Sequence, residues 1–191
     1  MGDLGMHVVH IPARCGWQMG DVSAQLSNIV KERPDGNGNM VTCETWDNAT
    51  ILARATTPTT PTASFPITLH TKRIAPGEMN SWFITVAGTQ ASMHFSTKYP
   101  RTLQRMDYSG GEQAWQHIDL GYASAYPTIT GGIFEFGFPD SMLQMWAAFC
   151  DEVAHGQSGM KQPFYCVTPA EAAVSHQLFT AALKVSAPGA A

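Results

Sequence analysis

The chain carries little charge. Of its 191 residues only 14% are Asp, Glu, Lys or Arg, and the net charge is −4; the usual charged share is roughly 25%. Its 11 lysines and arginines form no run and are not interleaved with aromatics, which excludes the clustered cations that a phosphate backbone requires. No apolar stretch approaches the ~18 residues of a membrane span. No basic segment followed by an apolar run opens the chain, as a secretory signal would, so the expected address is cytoplasmic. Cys15, Cys43, Cys150 and Cys166 are scattered without a C-x-x-C pair. They read as reduced, mostly buried thiols rather than a disulfide frame or a zinc knuckle. Missing too are a G-x-G-x-x-G turn and a Walker loop. Gly36, Gly38, Gly131 and Gly132 have the wrong spacing to let a backbone approach a pyrophosphate.

The length falls in the range of one domain, roughly 100–200 residues, and a single domain over 1–191 is expected. Hydrophobic residues make up 44%, so with few charges some apolar surface is expected to belong to a partner or another domain. Asp3 to Ile11 reads as a short helix capped by Asp3 and stopped by Pro12. Leu26 to Val30 is a short apolar run, and Arg33 to Asn39, with Pro, Asp and Gly in series, reads as a loop. Trp46 to Ala55 reads as a strand and Thr56 to Thr62 as a surface connection. Ile67 to Ile74, Ser81 to Ala87 and the row Ala91, Met93, Phe95 alternate as half-buried strands do. Arg101 to Met106, Trp115 to Leu120 and Ile133 to Phe138 are further strand candidates, the last setting Phe134, Phe136 and Phe138 on one side.

Two helices follow. From Asp140, Met142, Trp146, Phe149 and Val153 repeat at helical spacing until His155-Gly156. Thr168-Pro169-Ala170-Glu171 is a capping box with proline at the first helical position. Ala170, Val174, Leu178, Ala181 and Val185 then mark a buried face, and Ala187-Pro188-Gly189 stops the helix. This many strands joined by short turns implies a largely antiparallel sheet.

Four stretches resemble the C-terminal domain of the Gfo/Idh/MocA oxidoreductases. Gly2-Asp3-Leu4-Gly5-Met6-His7 is similar to that family's D-x-x-x-H helix. Glu44 to Thr50 resembles the strand in which an Asp precedes a small apolar run. Arg73 to Gly77, continuing through Phe83 and Gly88-Thr89 to Phe95, resembles the middle of the sheet. Cys166 to Ala172, with Ser175-His176 and Ala181 to Leu183, resembles the last helix. The resemblance implies an α+β fold, an open-faced, mostly antiparallel sheet with helices packed on one face, and a sheet face that serves subunit contact in a homo-oligomer. It implies hydride transfer between a sugar or cyclitol hydroxyl carbon and NAD or NADP, with a lysine of an E-K-P motif coming from the nucleotide domain. That N-terminal nucleotide-binding domain is expected to be absent here, since a helix opens at the third residue with nothing before it. The chain alone is then expected to be inactive and to bind no cofactor.

The resemblance assigns catalysis to Asp3 and His7. They are one helical turn apart and so share a side of their helix. Imidazole titrates near ~6.5, which suits removal of a hydroxyl proton, and a nearby carboxylate can orient the ring. His10 stands where the family often has an Asp, and joins Arg14, Trp17 and Arg73 as candidate sugar contacts: arginine donates to hydroxyls and tryptophan stacks on a sugar face. The plainer readings are a capping Asp with a surface His, and ordinary loop or sheet surface for the others. His7, His10 and Cys15 could open a zinc site, but their spacing matches no strong pattern, so no metal is expected. His176 reads as a structural hydrogen-bonder. A free-standing carbohydrate-binding or assembly module is the alternative function.

Overall fold

The computed structural model describes residues 2–121, 123–162 and 166–186. In chain order the elements are α1 (Gly2–Arg14), β1 (Gln18–Ser27), β2 (Glu32–Pro34), β3 (Met40–Thr42), β4 (Asn48–Thr57), β5 (Thr60–Lys72), β6 (Phe83–Ala87), β7 (Ala91–Ser96), β8 (Thr102–Asp107), β9 (Gln116–Asp119), α2 (Phe138–His155) and α3 (Pro169–Val185), with a 3-10 turn at Gln157–Gly159. They form two compact units, Met1–Gly77 with Val167–Ala191, and Glu78–Cys166. Every strand pair among the described residues is antiparallel. The architecture is α+β, antiparallel sheets with three helices.

In the first unit the sheet order is β1-β4-β5. Along β4, Ala49, Ile51, Ala53 and Ala55 are buried while Leu52 and Arg54 are exposed. That alternation follows from the two-residue period of a strand, and it gives the sheet one covered face and one open face. Helices α1 and α3 cover it: Val9 packs with Ile51, Leu69, Leu178, Phe179 and Ala182. Beside this sheet β2 and β3 form a small ribbon, the strands of the expected Arg33 to Asn39 loop. Asp47 ties the ribbon down: its buried carboxylate accepts the backbone N–H groups of Ile29 and Val30, both at 2.8 Å, and Arg33 Nη2 at 2.7 Å.

Several expectations are corrected here. The first helix does not stop at Pro12. It runs to Arg14 and closes through Gly16 at φ +74°, with Trp17 N–H donating to Pro12 O and Gly16 N–H to Ala13 O. This is a Schellman closure, in which the left-handed residue is the glycine. Proline withholds only one helical hydrogen bond, and Pro12 turns its ring to the buried side. Asp3 lies inside the first turn rather than at the cap, where its charge still complements the helix dipole. The Thr56 to Thr62 connection is the tip of the β4–β5 hairpin, held by Thr57 Oγ1, which accepts the Thr60 N–H at 3.0 Å.

Strand β1 escaped the period-two reading because it is bulged. Asp21 has φ +51° and the register shifts between Gly20 and Ser23, so Met19 and then Val22, Ala24 and Leu26 face inward with one residue inserted. Ile133 to Phe138 is not a strand: Gly131 and Gly132 take positive φ, turns close at Thr128 and Thr130, and Phe138 opens α2. On α3 the buried positions are Ser175, Leu178, Phe179 and Ala182, and Ala170 and Val185 are exposed. The buried stripe is therefore rotated from the expected one, so that Phe179 meets Gly5. The Ala187-Pro188-Gly189 stop lies outside the described residues. Of the four cysteines none is buried: Cys15 and Cys150 are exposed, Cys43 and Cys166 half-buried. His176, read as a structural hydrogen-bonder, is exposed on α3.

The second unit holds the sheet β6-β7-β8-β9 and α2. Its register sets Ile84, Val86, Phe95, Leu103 and Ile118 on one face, and Thr85, His94, Gln104 and His117 in a row on the other. Asp151 on α2 is a second buried hub: it accepts the Tyr126 hydroxyl at 2.9 Å and the Lys161 N–H at 2.8 Å, and pairs with His155 Nδ1 at 2.7 Å. Burial and the adjoining Asp151 push the Tyr126 hydroxyl up to about 12. No helix among the described residues is long and apolar enough to cross a membrane.

Hydrogen bonds hold the carboxyls of Asp47 and Asp151 below the ordinary carboxylate range, the Val30 N–H leading for Asp47 and the Lys161 N–H for Asp151. The unfolded chain, with ordinary carboxyls, binds protons at higher pH than the folded one. The stabilisation is therefore complete above the unfolded values near ~4 and is lost as pH falls through the folded ones. Urea midpoints are expected to fall steeply below about pH 4, and the Asp47→Asn variant is expected to show a flatter acid limb. An equally steep limb in that variant would remove Asp47 from the explanation.

Candidate functional site

The site is built on α1. With 3.6 residues per turn, Asp3, His7, His10 and Arg14 recur at spacings of four, three and four, and so fall along one edge of the helix. Gly5, Val9 and Pro12 lie nearly opposite and are buried. Packing of that apolar side against Phe179 and Ile51 thus determines that the polar edge looks outward.

Asp3 and His7 meet on this edge. His7 Nε2 is 3.9 Å from Asp3 Oδ1, with the two side chains 59% and 85% exposed, so a solute can reach both. His10 is half-buried one turn on. Burial lowers its pKa first; Glu171 opposes that, and the charges of Arg14 and His7 reinforce it. Arg14 reaches across to α3, where its Nη1 lies 3.2 Å from Glu171 Oε1 and 3.4 Å from Oε2. The same carboxylate closes the α3 capping box, accepting the Thr168 N–H at 2.8 Å and its hydroxyl at 3.0 Å. Burial works against ionising Glu171, but the Thr168 hydrogen bonds and Arg14 hold its carboxyl below the usual value.

The structure thus brings together four of the six expected residues, Asp3, His7, His10 and Arg14. Trp17 follows α1, and its ring meets Phe65 of β5 edge-on, centroids 5.1 Å apart. Arg73 is exposed beyond β5, with its backbone N–H on the Asp47 carbonyl; no hydrogen bond or ion pair among the described residues joins its side chain to the row. Among the described residues no three His, Cys, Asp or Glu side chains converge as a metal set. Glu171 was visible in the sequence only as a capping residue; its second role, anchoring Arg14 from 157 positions away, has no local signal.

A cavity of about 310 Å³ in the second unit is walled by Arg101, Asp140, Gln144, Thr128, Phe134 and Phe136 among others. Several of its polar walls are engaged. Arg101 pairs with Asp119 and Glu135, Asp140 accepts the Gly137 N–H at 2.8 Å, and the Gln144 amide is bonded on both sides by the backbone of Tyr126.

No family profile matches the sequence, and neither does any curated protein. Solved structures do match. One is a levoglucosan dehydrogenase in complex with NADH and L-sorbose, at TM-score 0.71 and 18% identity over 96% of this chain and 47% of that one. An oxidoreductase from Sinorhizobium meliloti matches at TM-score 0.73 and 19% identity, over 97% of this chain and 49% of the other. An inositol dehydrogenase homolog from Azotobacter vinelandii, complexed with NADH and myo-inositol, gives 0.64 and 14%, over 96% and 46%. These likenesses show an α+β fold like the Gfo/Idh/MocA C-terminal domain. The chain spans about half the length of the solved structures it matches.

Proposed function

We propose that this chain is the substrate-side and oligomerisation domain of an NAD(P)-dependent oxidoreductase acting on a sugar or cyclitol hydroxyl, inactive by itself. The observation that supports it most is the solvent-facing Asp3–His7 pair on the first helix of a fold shared with sugar and inositol dehydrogenases. In this reading His7 takes the proton of a substrate hydroxyl as the carbinol carbon gives up hydride, with the Asp3 carboxylate beside its ring. His10 and Arg14, on the same edge, are placed to hydrogen-bond neighbouring hydroxyls.

The nicotinamide that accepts hydride in such reactions does not fit the residues present. Dinucleotide sites use a glycine-rich turn opening a helix at the end of a parallel strand, whereas the paired strands among the described residues are all antiparallel. The start of α2 holds the Asp140 carboxylate and that of α3 holds Glu171, charges that repel a pyrophosphate. In this reading a nucleotide-binding domain or subunit brings the cofactor.

Two titrations test this. NADH and NADPH fluorescence is expected to stay unchanged on addition of the chain; tight binding of either would overturn the assignment. Millimolar myo-inositol or hexose is expected to shift the amide and imidazole resonances of Asp3, His7 and His10. Shifts confined to the second unit would remove this row as the substrate site.

A further inference from the structure

The Arg14–Glu171 pair has a role that its surroundings define. We infer that Glu171 acts through Arg14 as a positioning residue for the α1 row: its carboxylate anchors the guanidinium beside His10, so that His10 faces a substrate hydroxyl in a set place and between two opposed charges. The geometry supports this from three sides. Glu171 is itself immobilised, because Thr168 donates to it twice within the capping box. The ion pair is shielded, its side chains being 25% and 17% exposed, so it is less screened than a surface pair. And Arg14 belongs to the same helical edge as His10, one turn away, so anchoring the former restrains the edge that bears the latter.

The charged groups acting on His10 are His7 and Arg14 from α1 and Glu171 from α3. The cation and the anion act in opposite senses on the imidazole, and a proton-transfer site gains from that balance. Burial comes first among the causes that lower the His10 pKa, and the two charges act on top of it. What the row does for a substrate rests on the sugar-oxidoreductase reading; the clasp itself does not.

The test reads the clasp alone. Carbon-bound imidazole protons of His10 are followed by NMR against pH in the parent chain, in Glu171→Gln and in Arg14→Gln. Glutamine at 171 still closes a capping box, so the fold of α3 is retained, which the dispersed amide spectrum verifies. Glu171→Gln is expected to lower the His10 midpoint, and Arg14→Gln to raise it. Midpoints left at the parent value in both variants, or moved in the same direction in both, overturn the inference. No cofactor or sugar enters the measurement, so its outcome is separate from that of the substrate titrations.

Discussion

Replacing Gly5 with alanine is expected to lower the unfolding free energy by about 1–3 kcal/mol, the usual cost of overpacking a well-filled site. A β-carbon there would sit 1.8 Å from Phe179 Cζ and 2.5 Å from Cε1. Phe179 cannot swing aside cheaply, since its ring is only 5% exposed and lies in the cluster of Val9, Ile51, Leu178 and Ala182. The intrinsic preference runs the other way: alanine is favoured over glycine in a helix by about 0.8–1.0 kcal/mol. A variant more stable than the parent in urea would therefore show that the α1–α3 contact is loose. Pairing Gly5→Ala with Phe179→Leu is expected to recover part of the loss, a coupling of about 0.5–3 kcal/mol for groups in direct contact. The consequence for the site is mechanical. Asp3 and His7 flank Gly5, so lifting α1 from α3 displaces them together.

The second large effect belongs to His7. With the nucleotide-binding half supplied, His7→Asn is expected to lower kcat about 10²–10⁴-fold, the range for loss of a positioned general base. Asparagine keeps a similar size and can hydrogen-bond a hydroxyl, but it takes no proton near neutrality. Binding is thus expected to survive while turnover falls, and Asp3→Asn, which leaves the imidazole in place, is expected to cost less. Steady-state kinetics on both variants separates these outcomes. A kcat unchanged in His7→Asn rejects His7 as the proton acceptor and returns it to being a surface histidine.

How much of this was legible in the residues varies by element for physical reasons. The α3 start was plain, because Thr168-Pro169-Ala170-Glu171 satisfies its own end groups within four residues. Strand β7 was plain because Ala91-Ser92-Met93-His94-Phe95 alternates apolar and polar residues without interruption. The bulged β1 was not, since one inserted residue at Asp21 breaks the two-residue rhythm. The segment Ile133 to Phe138 misled because alternation alone does not make a strand; a partner must accept its hydrogen bonds, and none pairs with it among the described residues. That Asp3 and His7 lie one helical turn apart follows from spacing alone, whereas the meeting of Trp17 with Phe65, 48 residues away in sequence, has no local signal.

Local chemistry determined the helices, most of the hairpins, the missing phosphate loop and the spacing of the α1 row, because helix turns, strand alternation and caps are settled within a few residues. Only the tertiary structure decided which edge of α1 looks outward, that Asp47 fastens the β2–β3 ribbon, and that Arg14 is anchored by Glu171. Those are outcomes of burial and of partners distant along the chain: a carboxylate placed by α3 and a guanidinium placed by α1 meet only after both helices settle on the same covered face of the sheet.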